Sequence, residues 1–196
     1  MKNRELKATY VELGQTQKRL ELALSAAQKA AAIDELTGMM NLKSFRSAVN
    51  EEIASMEANE RGIFIMLDGD HFKRVNDEYG HLIGDEVIKL AAQMIVGRIR
   101  TVDLASRLHG DEFAIFVSHT DDYMVAKSIM QDINATMAKE AVKRKMPKIT
   151  LSSGAVVVKP HDSYIDLAKR ADDALYEAKK THDGGFYGES SDSSVE

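Results

Sequence analysis

Asp68 and Asp111 each stand where an apolar strand meets a polar turn. Asp68 closes Gly62-Ile-Phe-Ile-Met-Leu-Asp68; Asp111 follows Ser106-Arg-Leu-His-Gly110 and opens Asp111-Glu-Phe-Ala-Ile-Phe-Val117. Carboxylates at strand ends are costly to desolvate, so two of them beside small, turn-permitting residues point to a hard divalent cation. Mg²⁺ at such a site brings a nucleotide phosphate with it, which makes phosphoryl transfer the first chemistry to consider. The plainer reading of each aspartate is a helix cap or a turn residue.

Composition narrows the field. A chain of 196 residues can bury one full core with length left over. A net charge of −5 argues against a duplex nucleic-acid binder, which normally carries a basic face. The absence of cysteine excludes disulfides, thiolate metal sites and cysteine nucleophiles. No apolar run approaches the roughly 20 residues that span a bilayer, and the N-terminus lacks a signal-peptide core. The expectation is a cytoplasmic protein with no membrane partner.

These carboxylates need elements to hold them. Residues 2–32 read as one helix rich in Ala, Leu, Glu, Lys and Gln. Leu6, Tyr10, Leu13, Gln17, Leu20, Leu24, Ala27 and Ala31 alternate by four and three, a heptad seam that predicts a parallel dimeric coiled coil over 1–33. Gly14 and Gln17 weaken that seam, and the alternative is an amphipathic helix lying on its own domain. From Asp34 the pattern predicts a turn through Gly38, a helix to about Met56, and a strand from about Ile63 to Leu67. Polar, turn-rich sequence then leads to a helix from about Leu82 to Ile99, with Ile83, Val87, Leu90, Ala91 and Met94 as its buried stripe. Leu104–Leu108 and Glu112–Val117 flank His109-Gly110-Asp111 as a β-hairpin. Asp121–Glu140 reads as helix and Lys148–Val158 as strand. Asp162–Lys180 reads as a helix with an acidic cap and lysines at its negative end. The tail, 182–196, is expected to be disordered. Helices and strands interleave, so the fold class is α/β (α+β), with helices packed on a central sheet.

Five blocks in this order resemble the GGDEF family of diguanylate cyclases over about residues 34–181. They are Asp34-Glu-Leu-Thr-Gly-Met-Met-Asn41, Asp68-Gly-Asp-His-Phe-Lys-Arg-Val-Asn-Asp77, Gly80-His-Leu-Ile-Gly-Asp85, Arg107-Leu-His-Gly-Asp-Glu-Phe113 and Ala171-Asp-Asp-Ala-Leu-Tyr-Glu-Ala-Lys179. The resemblance implies the palm-like fold of nucleotidyl cyclases, a mainly antiparallel five-stranded sheet surrounded by helices. It implies that Asp68, Asp111 and the backbone carbonyl of Gly69 hold Mg²⁺, two ions per site with Mn²⁺ as an alternative. Glu112 would support the metal or take the 3′-hydroxyl proton. Asn76 and Asp85 would read guanine, whose N1–H and 2-amino group suit an ionised carboxylate. Lys73 and Lys179 would face the β and γ phosphates, and Gly110 the substrate. Plainer roles remain for each: a turn for Asn76, a helix-start acid for Asp85, solvated surface for both lysines. Phe72 is expected to pack rather than bind. His71 and His81 lack the spacing and company of a zinc site.

Arg100-Thr-Val-Asp103 matches in position the family's RxxD motif for product. There Arg100 would pair with phosphate or stack on guanine, and Asp103 would take the guanine edge; a surface ion pair is the alternative. Three positions depart from the family pattern. His109 replaces the first signature glycine, so its ring must point away from the guanine pocket, and activity stands to be reduced or lost. Leu42-Lys43 replaces an arginine pair. Lys180-Thr-His-Asp183 replaces the usual Gly-Arg-Asn and removes a phosphate-contacting arginine, with Lys180 or His182 as partial substitutes. The implied activity is condensation of two GTP into cyclic di-GMP and two pyrophosphates by a homodimer, with product inhibition at Arg100 and Asp103. A degenerate domain that binds cyclic di-GMP or GTP as a receptor is the alternative, and a coiled-coil scaffold a weaker third.

Overall fold

An apolar run such as Gly62–Gly69 stays extended only when both of its faces are covered. The computed structural model describes residues 12–20, 32–181 and 183–189, and there this run is buried almost end to end. The chain divides into two units, 1–33 and 34–196.

The larger unit is built on a six-stranded sheet. Its strands are β1 (Met40–Asn41), β2 (Gly62–Gly69), β3 (Leu104–His109), β4 (Glu112–Ser118), β5 (Leu151–Val158) and β6 (Phe186–Gly188), in the order β1-β3-β4-β2-β5-β6. The four inner strands pair antiparallel, and each short edge strand joins in parallel. Helices α1 (Leu42–Ser55), α2 (Phe72–Tyr79), α3 (His81–Val96), α4 (Tyr123–Arg144) and α5 (Tyr164–Ala178) cover it. Side chains alternate across the sheet: Ile63, Ile65 and Leu67 pack with α2, α3 and α4, while Phe64 and Met66 pack with α1 and α5. Asp68 continues the second series, so it emerges on the α5 side.

The fit between β5 and α5 matters for the site because Lys179 caps the C-terminal end of α5. A Cβ on residue 154 would lie 2.1 Å from the Leu175 nitrogen and 2.4 Å from the Ala171 carbonyl oxygen. Only glycine lets the helix approach this closely. Gly154→Ala is therefore expected to destabilise the domain by about 1–3 kcal/mol. Thermal unfolding checks this: Tm should fall by about 2–4 °C for each kcal/mol, and an unchanged Tm would mean the helix can retreat freely.

The structure departs from the sequence expectation in four places. The sheet has six strands, not five, because Met40–Asn41 and Phe186–Gly188 extend its edges. Phe72–Tyr79, read as polar turn, is helix α2; only Phe72 and Val75 are buried, too few for a period to show. Helix α5 is capped by Ser163, whose Oγ accepts from the Asp166 nitrogen, whereas Asp162 accepts from the Lys159 nitrogen in the loop before it. Within the tail expected to be disordered from 182, the described residues 183–189 include strand β6, and residues 182 and 190–196 lie outside the described residues. Around β6 the Ser153 nitrogen donates to the Gly185 carbonyl, the Glu189 nitrogen donates to the Ala155 carbonyl, and Arg170 pairs with Glu189.

In the smaller unit, residues 12–20 are helical, with Leu13 and Leu20 exposed. The other apolar seam positions of the expected coiled coil, Leu6, Tyr10, Leu24, Ala27 and Ala31, lie outside the described residues. Among the described residues, no helix is long and apolar enough to cross a membrane.

Candidate active site

The β3–β4 hairpin turns in two residues, Gly110 and Asp111, between the paired His109 and Glu112. Gly110 has φ +52°, which a tight hairpin turn asks of its first central residue. The Arg107 guanidinium secures the turn by donating to the Gly110 carbonyl at 2.8 Å, and it also binds both oxygens of Asp34 at 3.1 Å. Asp34 in turn accepts from the Thr37 backbone and hydroxyl. Burial opposes the Asp34 charge, but these bonds outweigh it and hold the carboxyl below its ordinary range. The first block is thus fastened to the signature hairpin.

The register places Asp68 directly opposite Glu112, so both carboxylates rise from one face of the sheet. Asp111 reaches the same end of β2 from the turn: a Cβ on residue 69 would stand 2.9 Å from Asp111 Oδ2. Burial, and then the neighbouring Asp68 charge, push the Asp111 carboxyl above its ordinary range; the backbone N–H groups of Asp111 and Gly69 act the other way. Glu112 is also raised, by burial first and by Asp68 and Asp111, while His109 opposes the shift. Two cationic or proton-bearing groups answer these acids. Lys179 Nζ is 2.5 Å from Asp68 Oδ1, and His109 Nε2 is 3.1 Å from Glu112 Oε2.

Among the described residues, three or more acidic or imidazole groups do not gather into a ready-made metal cluster. Two carboxylates and a close-lying backbone at residue 69 nevertheless suit Mg²⁺, which takes one or two protein carboxylates and completes its shell from phosphates and water. The donors are hard oxygens, and their mutual repulsion is what a cation relieves. Lys179 now neutralises Asp68, so a cation there must compete with its ammonium.

Asn76 on α2 packs closely against α3 at Gly84, the residue before Asp85. A Cβ on residue 84 would lie 2.0 Å from Asn76 Oδ1 and 3.2 Å from Phe72 Cζ. The Asn76 carboxamide therefore rests on the residue before Asp85. Phe72 is buried in the core, as expected. Gly84→Ala would drive the carboxamide out of place. If the pair reads guanine, KM for GTP should rise about tenfold, roughly one lost hydrogen bond, with kcat less affected. Steady-state kinetics checks this, and an unchanged KM would remove Asn76 from recognition. Lys73 is exposed on α2.

Arg100 and Asp103 are not part of this cluster. Asp103 accepts from the Ser118 nitrogen at 3.0 Å, and Ser118 ends β4, roughly 20 Å along the strand from Glu112. The Asp103 side chain is 1% exposed and also accepts from the Arg100 nitrogen at 2.8 Å, Nε at 3.0 Å and Nη2 at 2.8 Å. Burial would raise this carboxyl, but these bonds outweigh it and keep it below its ordinary range. The pair is a partly buried loop staple with one exposed arm, more than the surface ion pair weighed from sequence.

Asp70 is a residue the sequence reading passed over. It is buried and accepts from Thr150 Oγ1 at 2.6 Å, Ser152 Oγ at 2.7 Å and the Gly184 nitrogen at 2.8 Å. It thereby ties the loop after Asp68 to β5 and to the segment leading into β6. A cavity of about 480 Å³ opens beside Asp70, between α2 and residues 147–150, with His71, Arg74 and Tyr79 on its wall. It does not include the paired carboxylates.

The chain is similar to known proteins in both sequence and fold. The family described as diguanylate cyclase, GGDEF domain, matches residues 31–184. Diguanylate cyclase VdcA of Vibrio cholerae is 34% identical over 182 residues, covering 90% of this chain and 51% of that protein. The chain spans about half or less of the length of the curated relatives it matches. The coiled coil and GGDEF domain of DgcB from Caulobacter crescentus, solved in complex with c-di-GMP, superimposes with a TM-score of 0.83 at 29% identity, over 94% of this chain and 99% of that one. Diguanylate cyclase SiaD of Pseudomonas aeruginosa, solved with its activator SiaC, gives 0.76 at 26% identity over 95% and 72%. With the five sequence blocks, the sheet between two helical layers and the acidic strand ends all in place, the chain belongs to the GGDEF family of diguanylate cyclases.

Proposed function

We propose that this chain is a Mg²⁺-dependent diguanylate cyclase, with Mn²⁺ as an alternative ion, that joins two GTP into cyclic di-GMP and releases two pyrophosphates. The observation that carries the reading is the Asp68–Glu112 pairing across β2 and β4, with Asp111 reaching the same strand end. Asp68, Asp111 and the Gly69 carbonyl would hold the cations, two per site. When bound, these polarise the triphosphate and stabilise the leaving pyrophosphate. Lys179, released from Asp68, would move its ammonium to the phosphates, joined by Lys73 from α2. Asn76 and Asp85 would fix the guanine, and Gly110 would let the turn backbone approach the nucleotide. Glu112 would accept the 3′-hydroxyl proton as that oxygen bonds to the α-phosphorus of the second GTP and the bond to pyrophosphate breaks.

One such site holds one nucleotide, so two copies must face each other, and residues 1–33 would pair them as a coiled coil before the domain at 34–181. The exposed Leu13 and Leu20 support that role. Product inhibition would fall to Arg100, whose side chain is more than half exposed, with Asp103 holding it in place. The setting would be cytoplasmic, without membrane or duplex nucleic-acid partners.

The test is incubation of the purified chain with GTP and Mg²⁺, followed by chromatography of the nucleotides. Cyclic di-GMP is the expected product. Departure of His109 from the family glycine favours a second reading, a receptor. No product, with cyclic di-GMP binding that vanishes in Arg100→Ala, would establish it. Binding of neither nucleotide would leave a scaffold.

A further inference from the structure

Gly69 would serve a cation through its backbone, so the direction of its carbonyl is what the site must fix. It is the last residue of β2, and a glycine in that place lets the chain leave the sheet in many directions. The departing chain is held from the β5 side. The register pairs Asp68 with Ser152 and Gly69 with Leu151, and the Asp70 nitrogen carries the ladder one step further by donating to the Thr150 carbonyl at 2.9 Å. In a planar trans peptide the N–H and the preceding C=O point in opposite directions. With the Asp70 N–H aimed at β5, the Gly69 carbonyl is aimed away from β5, toward the β4 side. The Gly69 N–H meets the Asp111 carboxylate on that same side, as expected of a strand residue, which sends its own N–H and C=O to one edge.

We propose that Asp70 is a positioning residue that locks the end of β2 onto β5 and so keeps the Gly69 carbonyl turned toward a cation held by Asp68 and Asp111. This rests on the cyclase reading above. Asp70 is 4% exposed, and its carboxylate accepts from the Thr150 hydroxyl at 2.6 Å, the Ser152 hydroxyl at 2.7 Å and the Gly184 nitrogen at 2.8 Å. Thr150 thus grips Asp70 twice, by its carbonyl and by its hydroxyl. Peeling the chain from β5 would break the backbone bond and leave a buried carboxylate and its donors unpaired. Gly184 adds a third strand of the lock, from the segment that follows α5 and Lys179. With its oxygens engaged by these donors, Asp70 holds the loop rather than the ion.

Calorimetric titration with a non-hydrolysable GTP analogue, once with Mn²⁺ and once with EDTA, compares the full-length chain with Asp70→Ala and Thr150→Val. Asp70→Ala should bind the analogue about tenfold more weakly with Mn²⁺ and within about twofold of wild type with EDTA, because the loss falls on the cation contact. Thr150→Val keeps the side-chain shape and removes one donor; it should lose about threefold, again only with Mn²⁺. A role in stability alone would not separate the two titrations. Equal losses with Mn²⁺ and with EDTA overturn the proposal, as does unchanged Mn²⁺-dependent binding in a folded Asp70→Ala. Should Asp70→Ala fail to fold, Thr150→Val decides: a loss confined to Mn²⁺ supports the lock, and no loss removes it. A wild type that binds the analogue no better with Mn²⁺ than with EDTA would fail the cyclase reading at its cation site, and the proposal would fall with it; a failure seen in the variants alone overturns only the lock.

Discussion

Asp111→Asn is expected to abolish cyclic di-GMP formation while raising the melting temperature of the metal-free protein. The two effects share one cause. Asp111 is held above its ordinary range, first by burial and then by Asp68. A carboxyl raised in this way contributes stability while protonated. That contribution is complete below the unfolded-state pKa and is lost as pH climbs through the folded-state pKa. Near neutral pH the ionised Asp111, and Glu112 with it, therefore weigh against the metal-free fold. Asparagine keeps the shape, removes the charge and should raise Tm. It also removes a cation ligand, and loss of several kcal/mol of transition-state stabilisation slows turnover by about 10³-fold or more. By the same linkage, Mg²⁺ should raise the wild-type Tm more near neutral pH than in mild acid. Thermal scans across pH, with and without Mg²⁺, beside an activity assay, check each part. Retained turnover in Asp111→Asn would mean that the metal assignment is wrong.

Asp103→Ala should give the other large effect, and it should be on stability. Its carboxylate is almost wholly buried and accepts bonds from two backbone nitrogens and two guanidinium nitrogens. Truncation leaves the Ser118 nitrogen without that acceptor at the end of β4, at a cost of about 2–3 kcal/mol. That corresponds to a Tm lower by several degrees, at about 2–4 °C per kcal/mol. Arg100→Ala should cost less than Asp103→Ala, because it leaves Asp103 its backbone donors at Arg100 and Ser118. If product inhibits through this motif, Arg100→Ala relieves inhibition without unfolding, whereas Asp103→Ala mixes the two effects. Equal Tm for both variants would contradict the staple.

How legible all this was in the sequence depends on the range of the interactions. Strands β2 to β5 and helix α3 announce themselves by their apolar patterns, and the carboxylates mark the strand ends. The edge strands β1 and β6 do not, since two or three residues cannot show an alternation and their partners lie far along the chain. Asp70 reads as one more acid in a polar loop; Thr150, Ser152 and Gly184, which saturate it, follow 80 or more residues later. Asp103 is similar: the four-residue motif shows its pairing with Arg100 but not its bond to Ser118. At position 109 the sequence shows a lost glycine, and only the hairpin register shows the gained contact with Glu112.

Diffraction from a crystal grown with Mn²⁺ and a non-hydrolysable GTP analogue, using the anomalous signal of manganese, tests the proposed cation site most directly. The expected result is a manganese peak about 2.0–2.3 Å from oxygens of both Asp68 and Asp111, with Lys179 drawn from Asp68 to a phosphate. Nucleotide bound with no peak between these oxygens, and Lys179 still on Asp68, would contradict it.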